Sequence, residues 1–388
     1  MTILSENTTG LDREVRFGDV RYDFHVRHGH SAWGDLRARA AELDADRFVV
    51  VADAGLPGHL VAEVETALAS LAPTRVLKAQ ADEMQKSLTT LHRLAEEALR
   101  DGITRRSVVV ALGGGTVGNI AGLLAALVFR GIRLVHMPTT LLGMSDSVLS
   151  LKQAVNSSYG KNHLGTFHAP VFVWNHLDFL DSLPAAEIQS ALCEMIKNVL
   201  GIVPERYDEV AALLRTDARY TPDVLSRFID LCVDAKTRVM RNDANEKGEA
   251  LILEYGHTVG HAAELLTGGQ LRHGFAIGIG MLAAARVSRE LGMLDRSDEA
   301  AHLRLLELNG APTVLPEELD AASVLDIVRR DNKRGYVPGR SGTCDLILLE
   351  GLGRPHRPAG NQITQVDEET VRTGIESVLG SRPALVGA

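Results

Sequence analysis

Residues 107–138 read SVVVALGGGTVGNIAGLLAALVFRGIRLVHMP. An apolar run at 107–112 ends in the glycines 113–115, an apolar helical stretch follows, and a second run, IRLVHMP, fills 132–138. Short runs with no polar alternation suit strands covered on both faces, which points to a parallel sheet. FVVVAD at 48–53 is a third run of this kind. Helical patterns lie between the runs, at 57–71 and 87–99. Pro57 suits the first position of a helix, where its missing N–H costs nothing. From Pro184, a second such proline, the pattern becomes helical over 185–200, 222–240, 256–266, 275–291 and 298–308. The expected fold is an α/β N-terminal domain with a parallel sheet over 1–183, followed by a mainly α-helical domain over 184–388.

Composition narrows the function. The 388 residues are 45% apolar and 23% charged, ordinary for a globular protein with ample core. A net charge of -9 argues against a nucleic-acid binder, which needs a basic face. Cys193, Cys232 and Cys344 are far apart and form no CxxC pair, which suits a reducing compartment. Met1 to Gly10 shows no signal-peptide pattern, and the apolar run at 121–129 is far short of a membrane span. A cytoplasmic protein is expected. Of 41 basic residues only eight are lysines: Lys78, Lys86, Lys152, Lys161, Lys197, Lys236, Lys247 and Lys333. Arg codon bias accounts for the ratio, yet each lysine left is a compact, tunable cation.

Four stretches carry candidate chemistry. GGGTVGN at 113–119 sits between a strand and a helix, where glycines let a diphosphate approach the helix N-terminus. Alone, such a glycine-rich turn does not settle nucleotide binding. Asp53, at a strand end, suits either ribose hydroxyls or a turn. Asp146, Lys152, Asn156, Lys161, Asn162 and His168 make a dense polar segment, read as a loop able to cradle phosphate. Glu194 and Lys197, three apart, share a helix face, as an ordinary surface ion pair would. Finally, EYGHTVGHAAE at 254–264 precedes LRHG at 271–274. His257 and His261 are four apart and stack on one helix face, so spacing alone nominates them as metal ligands, for zinc or a similar divalent ion.

Taken in order, GGGTVGN, RGIRLVHMPTTLLGMSDSV, GKNHLGTF, CEMIKN, EYGHTVGH and LRHG make residues 40–350 similar to the sugar-phosphate cyclase family that includes 3-dehydroquinate synthase. The resemblance implies the dehydroquinate synthase-like fold, a carbon–oxygen lyase, bound NAD+, and one Zn2+ or Co2+ ion. The metal would be held by Glu194, His257 and His273, in place of the pair that spacing nominates. His261 would then face substrate phosphate or act as an acid/base. Around NAD the resemblance places Asp53, Glu83, Lys86, Gly114, Gly115, Thr116 and Asn119, then Thr139, Thr140, Asp146, Lys152, Lys161 and Ser182. At the substrate it places Asp146, Lys152, Asn162, Lys197, Lys236, Glu246, Glu254, His261 and Lys333. Of these, Lys152, Lys197, Glu246, Glu254 and His261 would be catalytic. Arg130 would reach a neighbouring subunit's phosphate site, which implies a homodimer.

Two departures narrow the substrate. Dehydroquinate synthases carry an Arg seven positions before the first His ligand, and an Asn three before it. Here Ala250 and Glu254 stand at those positions. Losing a carboxylate clamp and gaining a carboxylate suits a phosphorylated polyol without a carboxylate. DSVLSLKQAVN, EYGHTVGH and DNKRGY resemble the branch that cyclises glucose 6-phosphate for aminoglycoside antibiotics. The branch acting on sedoheptulose 7-phosphate and dehydroquinate synthase itself are the alternatives within the family. The resemblance implies transient oxidation at carbon 4, loss of phosphate from carbon 6, return of the hydride, ring opening and aldol closure. Outside the family, an NAD-dependent polyol dehydrogenase shares the two-domain plan, but it has no use for a lysine-rich phosphate site.

Overall fold

The computed structural model describes residues 10–330 and 335–380. The chain divides into two compact units, 1–183 with Tyr220–Val233, and Pro184–Arg219 with Asp234–Ala388. A single break at 183/184 is therefore corrected: the first half of one helix returns to the first unit. An Arg13–Asp230 ion pair ties that half-helix to the first strand.

In the first unit the chain runs β1 (Leu11–Phe17), β2 (Val20–Arg27), α1 (Ala32–Glu42), β3 (Phe48–Asp53), α2 (Gly58–Ala69), β4 (Thr74–Ala79), α3 (Leu88–Arg100), β5 (Val108–Gly113), α4 (Gly115–Leu127), β6 (Arg133–Pro138), β7 (Lys152–Ser157), β8 (Gly160–Phe167) and β9 (Phe172–His176). Seven strands form one sheet in the order β1-β2-β9-β6-β5-β3-β4. Only β1 and β2 pair antiparallel; the other pairings are parallel. The three apolar runs become β3, β5 and β6, and every residue of β5 is buried. Val49, Val109, Leu134, Leu94, Ile120 and Leu124 interlock in one core. Each such side chain contributes about 1.5–3 kcal/mol by leaving water.

Two local expectations need correction. Pro57 and Pro184 stand one residue before their helices, not in the first turn; their ψ angles of 131° and 145° are extended. A fixed φ suits either place, so the ring alone cannot choose between them. The polar segment at 146–168 is not a loop. It begins in a single wide, π-helical turn at Gly143–Ser147, then folds into the β7–β8 hairpin. Within β7 the consecutive residues Gln153, Ala154 and Val155 are buried.

The second unit contains α5 (Ala185–Gly201), α6 (Tyr207–Leu213), the end of α7 (Pro222–Met240), α8 (His257–Leu266), α9 (His273–Glu290), α10 (Arg296–Asn309) and α11 (Ala321–Val328). β10 (Thr343–Ile347), β11 (Leu349–Gly351), β12 (Arg354–Pro355), β13 (Ile363–Asp367) and α12 (Glu368–Glu376) complete it. β10–β13 and β11–β12 are small antiparallel ribbons. No helix among the described residues is long and apolar enough to cross a membrane.

Helix spacing in this unit is set by absent side chains. A Cβ on Gly274 would lie 1.8 Å from the carbonyl oxygen of Ser190 on α5. A Cβ on Gly280 would lie 2.0 Å from the carbonyl oxygen of Gly256, the residue before α8. Gly256 itself has φ +79°, open to glycine and strained for other residues. Thus α9 presses backbone-to-backbone on both α5 and α8. Gly280→Ala must push α8 and α9 apart, an overpacking cost of about 1–3 kcal/mol. A thermal melt followed by circular dichroism should show a lowered midpoint; an unchanged midpoint would mean that the contact gives way freely.

Candidate metal and cofactor sites

The glycine contacts bring Glu194, His257 and His273 together in the second unit. Glu194 lies in the middle of α5, one turn after Ser190, whose hydroxyl accepts the Gly274 N–H at 3.1 Å. His273 and His257 are the first residues of α9 and α8. Glu194 Oε1 lies 3.6 Å from His257 Nε2 and 3.5 Å from His273 Nε2. Both distances are too long for hydrogen bonds, and this buried Oε1 accepts none. They match the ~3.4 Å edge between ligands of a tetrahedral ion with bonds of about 2.1 Å. One carboxylate oxygen and two imidazole nitrogens also form a three-ligand set that leaves a position for substrate. The residues therefore fit a divalent ion.

The electrostatics agree. Glu194 is 1% exposed, and burial works to raise its carboxyl. The Lys197 ammonium and the two imidazoles outweigh burial and hold it well below the usual carboxylate range. Burial, reinforced by Lys197, keeps the His257 imidazole well below its ordinary value. Burial also works against charge on His273, but Glu194 and Glu264 overcome it and raise this imidazole to about 10. Glu194 thus gathers positive charge even without an ion. The Glu194–Lys197 pair, read from sequence as an ordinary surface salt bridge, is buried instead. Lys197 is 3% exposed, contacts Glu194 and donates to the Leu253 carbonyl at 2.6 Å.

His261 takes a different place from the one its spacing suggests. It stands one turn beyond His257, ring centroids 5.0 Å apart, but outside the Glu194 cluster. A shared helix face does not decide which nitrogen meets the carboxylate of another helix. Glu254 ends the turn Glu249–Glu254 and acts electrostatically on His257. Ala250 is fully buried. Glu246 has φ +55° in a loop folded around Asp243, whose carboxylate accepts the N–H groups of Lys247, Gly248 and Ala250. Lys236 is buried on α7. Lys333 lies outside the described residues.

The first unit gathers most of the residues expected around NAD. Asn119 accepts the Ala154 N–H at 3.0 Å and donates to the Gly115 carbonyl at 2.9 Å, tying the glycine turn to β7. Glu83 accepts from Asn156 at 2.8 Å and from the Thr116 hydroxyl at 3.3 Å. Lys86 donates to the Asn162 side chain, and its backbone carbonyl accepts the Asn156 N–H. Burial lowers the Lys86 ammonium, opposed by Glu83, while Lys161 adds to the lowering. Gly114 packs on Thr140, and the Thr139 N–H donates to the Gly113 carbonyl at 3.1 Å. Asp146 lies in the turn before β7, and Lys152 opens that strand. Asp53 accepts the Gly55 N–H at 2.9 Å, so the turn role is filled. Ser182 donates to Phe179 within its own turn, and His168 bonds the Ile132 carbonyl at 2.9 Å. Arg130 is exposed after α4, with φ +69°.

Two residues outside the expected site matter. Asn156 links the hairpin to the 83–86 turn; its only sequence signal was membership of the polar cluster. Glu264 contacts His273 at 3.2 Å and lies seven residues after His257 on the same stripe of α8, a spacing that could have found it.

Two family models match consecutive stretches: 3-dehydroquinate synthase N-terminal over residues 76–190 and 3-dehydroquinate synthase C-terminal over 191–334. A 2-deoxy-scyllo-inosose synthase of Streptoalloteichus tenebrarius is 45% identical over 378 residues, 96% of each chain. That of Niallia circulans is 38% identical over 94% of this chain and 99% of its own. The chain therefore belongs to the 3-dehydroquinate synthase-like family of sugar-phosphate cyclases. Within that family it is similar to 2-deoxy-scyllo-inosose synthases. A crystal structure of such an enzyme with carbaglucose-6-phosphate, NAD+ and Co2+ matches with TM-score 0.90 and 35% identity, covering 95% of this chain and 100% of that one. An iron-containing alcohol dehydrogenase, 14% identical with TM-score 0.65, covers 96% of this chain and 100% of its own and shares the fold alone.

The ligand assignment has a direct check. Glu194→Gln and His257→Ala should each lose zinc or cobalt on dialysis, measured by elemental analysis. His261→Ala should retain it; loss of metal in that variant would restore the spacing-based pair.

Proposed function

We propose that this chain is a 2-deoxy-scyllo-inosose synthase, converting glucose 6-phosphate into a carbocycle and inorganic phosphate. The observation that carries the substrate choice is the surround of the ligand cluster: a fully buried Ala250 and the Glu254 carboxylate, with no arginine in their place. An alanine methyl cannot clamp a carboxylate, and Glu254 repels one while accepting hydrogen bonds from sugar hydroxyls. The 45% identity with enzymes of that name over nearly the whole chain supports the same reading.

Glu194, His257 and His273 would hold the ion, zinc or cobalt. Glu83, Lys86, Thr116 and Asn119, with the glycine turn, would hold NAD+. When bound, these two groups supply a transient oxidation at carbon 4 and polarisation of its oxygen, so the overall conversion is redox-neutral. The remaining chemistry falls to side chains. Lys152, and Lys161 with Asn162, are assigned to the phosphate, whose leaving charge needs cations. Lys197 neutralises Glu194 while its stem stays buried. Glu246 and Glu254 orient the hydroxyls and accept protons; His261 carries protons at its imidazole. Lys236, Asp146 and Lys333 complete the substrate contacts. We also assign a homodimer in the cytoplasm, with exposed Arg130 directed to a neighbouring subunit's phosphate site, on the strength of the family resemblance.

Incubation with glucose 6-phosphate and catalytic NAD+ should release phosphate without net NADH, and NMR should identify 2-deoxy-scyllo-inosose. NADH growing in step with substrate would instead make the protein a dehydrogenase, and turnover of sedoheptulose 7-phosphate alone would move it to the other cyclase branch. Ala250→Arg combined with Glu254→Asn should cut kcat/KM for glucose 6-phosphate at least tenfold; unchanged turnover would remove the substrate argument built on those two positions.

A further inference from the structure

We infer that Glu264 is a positioning residue for the metal centre, its carboxylate taking the Nδ1–H of His273 so that Nε2 is presented to the ion. The inference rests on Glu194, His257 and His273 as the ligand set. A neutral imidazole has one N–H and one lone pair, and the partner of one nitrogen decides which task the other performs. On His273, Nδ1 lies 3.2 Å from Glu264 Oε2, while Nε2 faces Glu194 Oε1 at 3.5 Å. His257 follows the same rule with a different partner. Its Nδ1 lies 3.1 Å from the Tyr255 carbonyl oxygen, and its Nε2 faces the same Glu194 oxygen at 3.6 Å.

The two acceptors differ in kind. A backbone carbonyl can only accept, so His257 is held by the fold itself. Tyr255 is locked in turn, fully buried with its hydroxyl 2.8 Å from His302 Nε2. His273 is steered by a side chain instead. The Glu264 side chain is 13% exposed, and its charge makes the imidazole a stronger donor to a cation.

His261, Glu264 and His273 also bring potential donor atoms within 4.8 Å of one another. Occupying that position together with the Glu194 position would require both nitrogens of His273 to bind metal, hence an imidazolate. The buried Glu194 carboxylate, facing two Nε2 atoms at once, takes the ion; Glu264 takes the proton.

The test is a titration of metal-free protein with Co2+ alone, followed by visible absorption and by competition with a chelator. Wild-type protein should bind one cobalt per chain. Glu264→Ala should weaken binding about 10–100-fold, the usual effect of losing such a partner. Glu264→Gln keeps an acceptor oxygen without the charge and should recover a substantial part of that loss. At saturating cobalt, phosphate release by Glu264→Ala should return towards the wild-type kcat, because Glu264 touches no reacting atom. Equal melting midpoints of the metal-free proteins would separate this role from a fold defect; if Glu264→Ala does not fold, the Gln variant, with a smaller loss of affinity, decides. Unchanged cobalt affinity in both variants overturns the inference and leaves the ligand set standing. Two ions in wild-type protein and one in Glu264→Ala also overturn it, making Glu264 a ligand. Wild-type protein that binds no cobalt overturns the ligand set and this inference together.

Discussion

The second unit is organised around one buried carboxylate. Glu194 is almost wholly removed from water, and a charge in that position is costly unless opposite charge surrounds it. Lys197 supplies part of the compensation from the next turn of the same helix. His257 and His273 turn their Nε2 atoms towards the same oxygen from two other helices. The resulting arrangement is unfinished without a further cation: Oε1 sits at ligand distance from two nitrogens and receives no hydrogen bond. A buried acceptor left in that state is expected where a metal completes it, and hard to retain otherwise.

That convergence depends on helix backbones approaching more closely than side chains allow. Gly274 and Gly280 leave α9 in direct contact with the carbonyls of Ser190 and Gly256. The α5 contact is one turn from Glu194, and the α8 contact is one residue from His257. Packing glycines and the residues of the candidate metal site are therefore adjacent in sequence as well as in space. The first unit shows a related economy. The β7–β8 hairpin is bonded through Asn119 to the glycine turn and through Asn156 to the turn that carries Glu83 and Lys86. Residues from three distant stretches are thus tied together by side-chain amides.

Much of this was legible beforehand, for definite reasons. β3, β5 and β6 announced themselves because strands covered on both faces must be continuously apolar. The long helices of the second unit showed their period equally well. The β1–β2 hairpin was missed, since LDREVRF and VRYDFHVR are half-exposed and carry many charges. The polarity of the β7–β8 hairpin gives it the local pattern of a loop. Strand pairing there is satisfied by the partner strand and by Asn119, neither of which a local pattern reveals. Glu194–Lys197 looked like an ordinary surface pair because a spacing of three fixes a shared face but not its burial.

Sequence by itself determined the class of fold and the order of the buried strands and long helices, and through family resemblance it nominated the metal ligands and the functional lysines. It also determined that Ala250 and Glu254 replace an arginine and an asparagine. Tertiary structure alone shows the Nε2 atoms of His257 and His273 facing one Glu194 oxygen, with His261 outside that cluster, because such a meeting depends on how separate helices pack. It likewise decided that Lys197 neutralises a buried carboxylate, and that Glu264 lies behind His273. Helical periodicity states which residues share a face; only packing, here set by glycines with no Cβ to keep helices apart, states what that face meets.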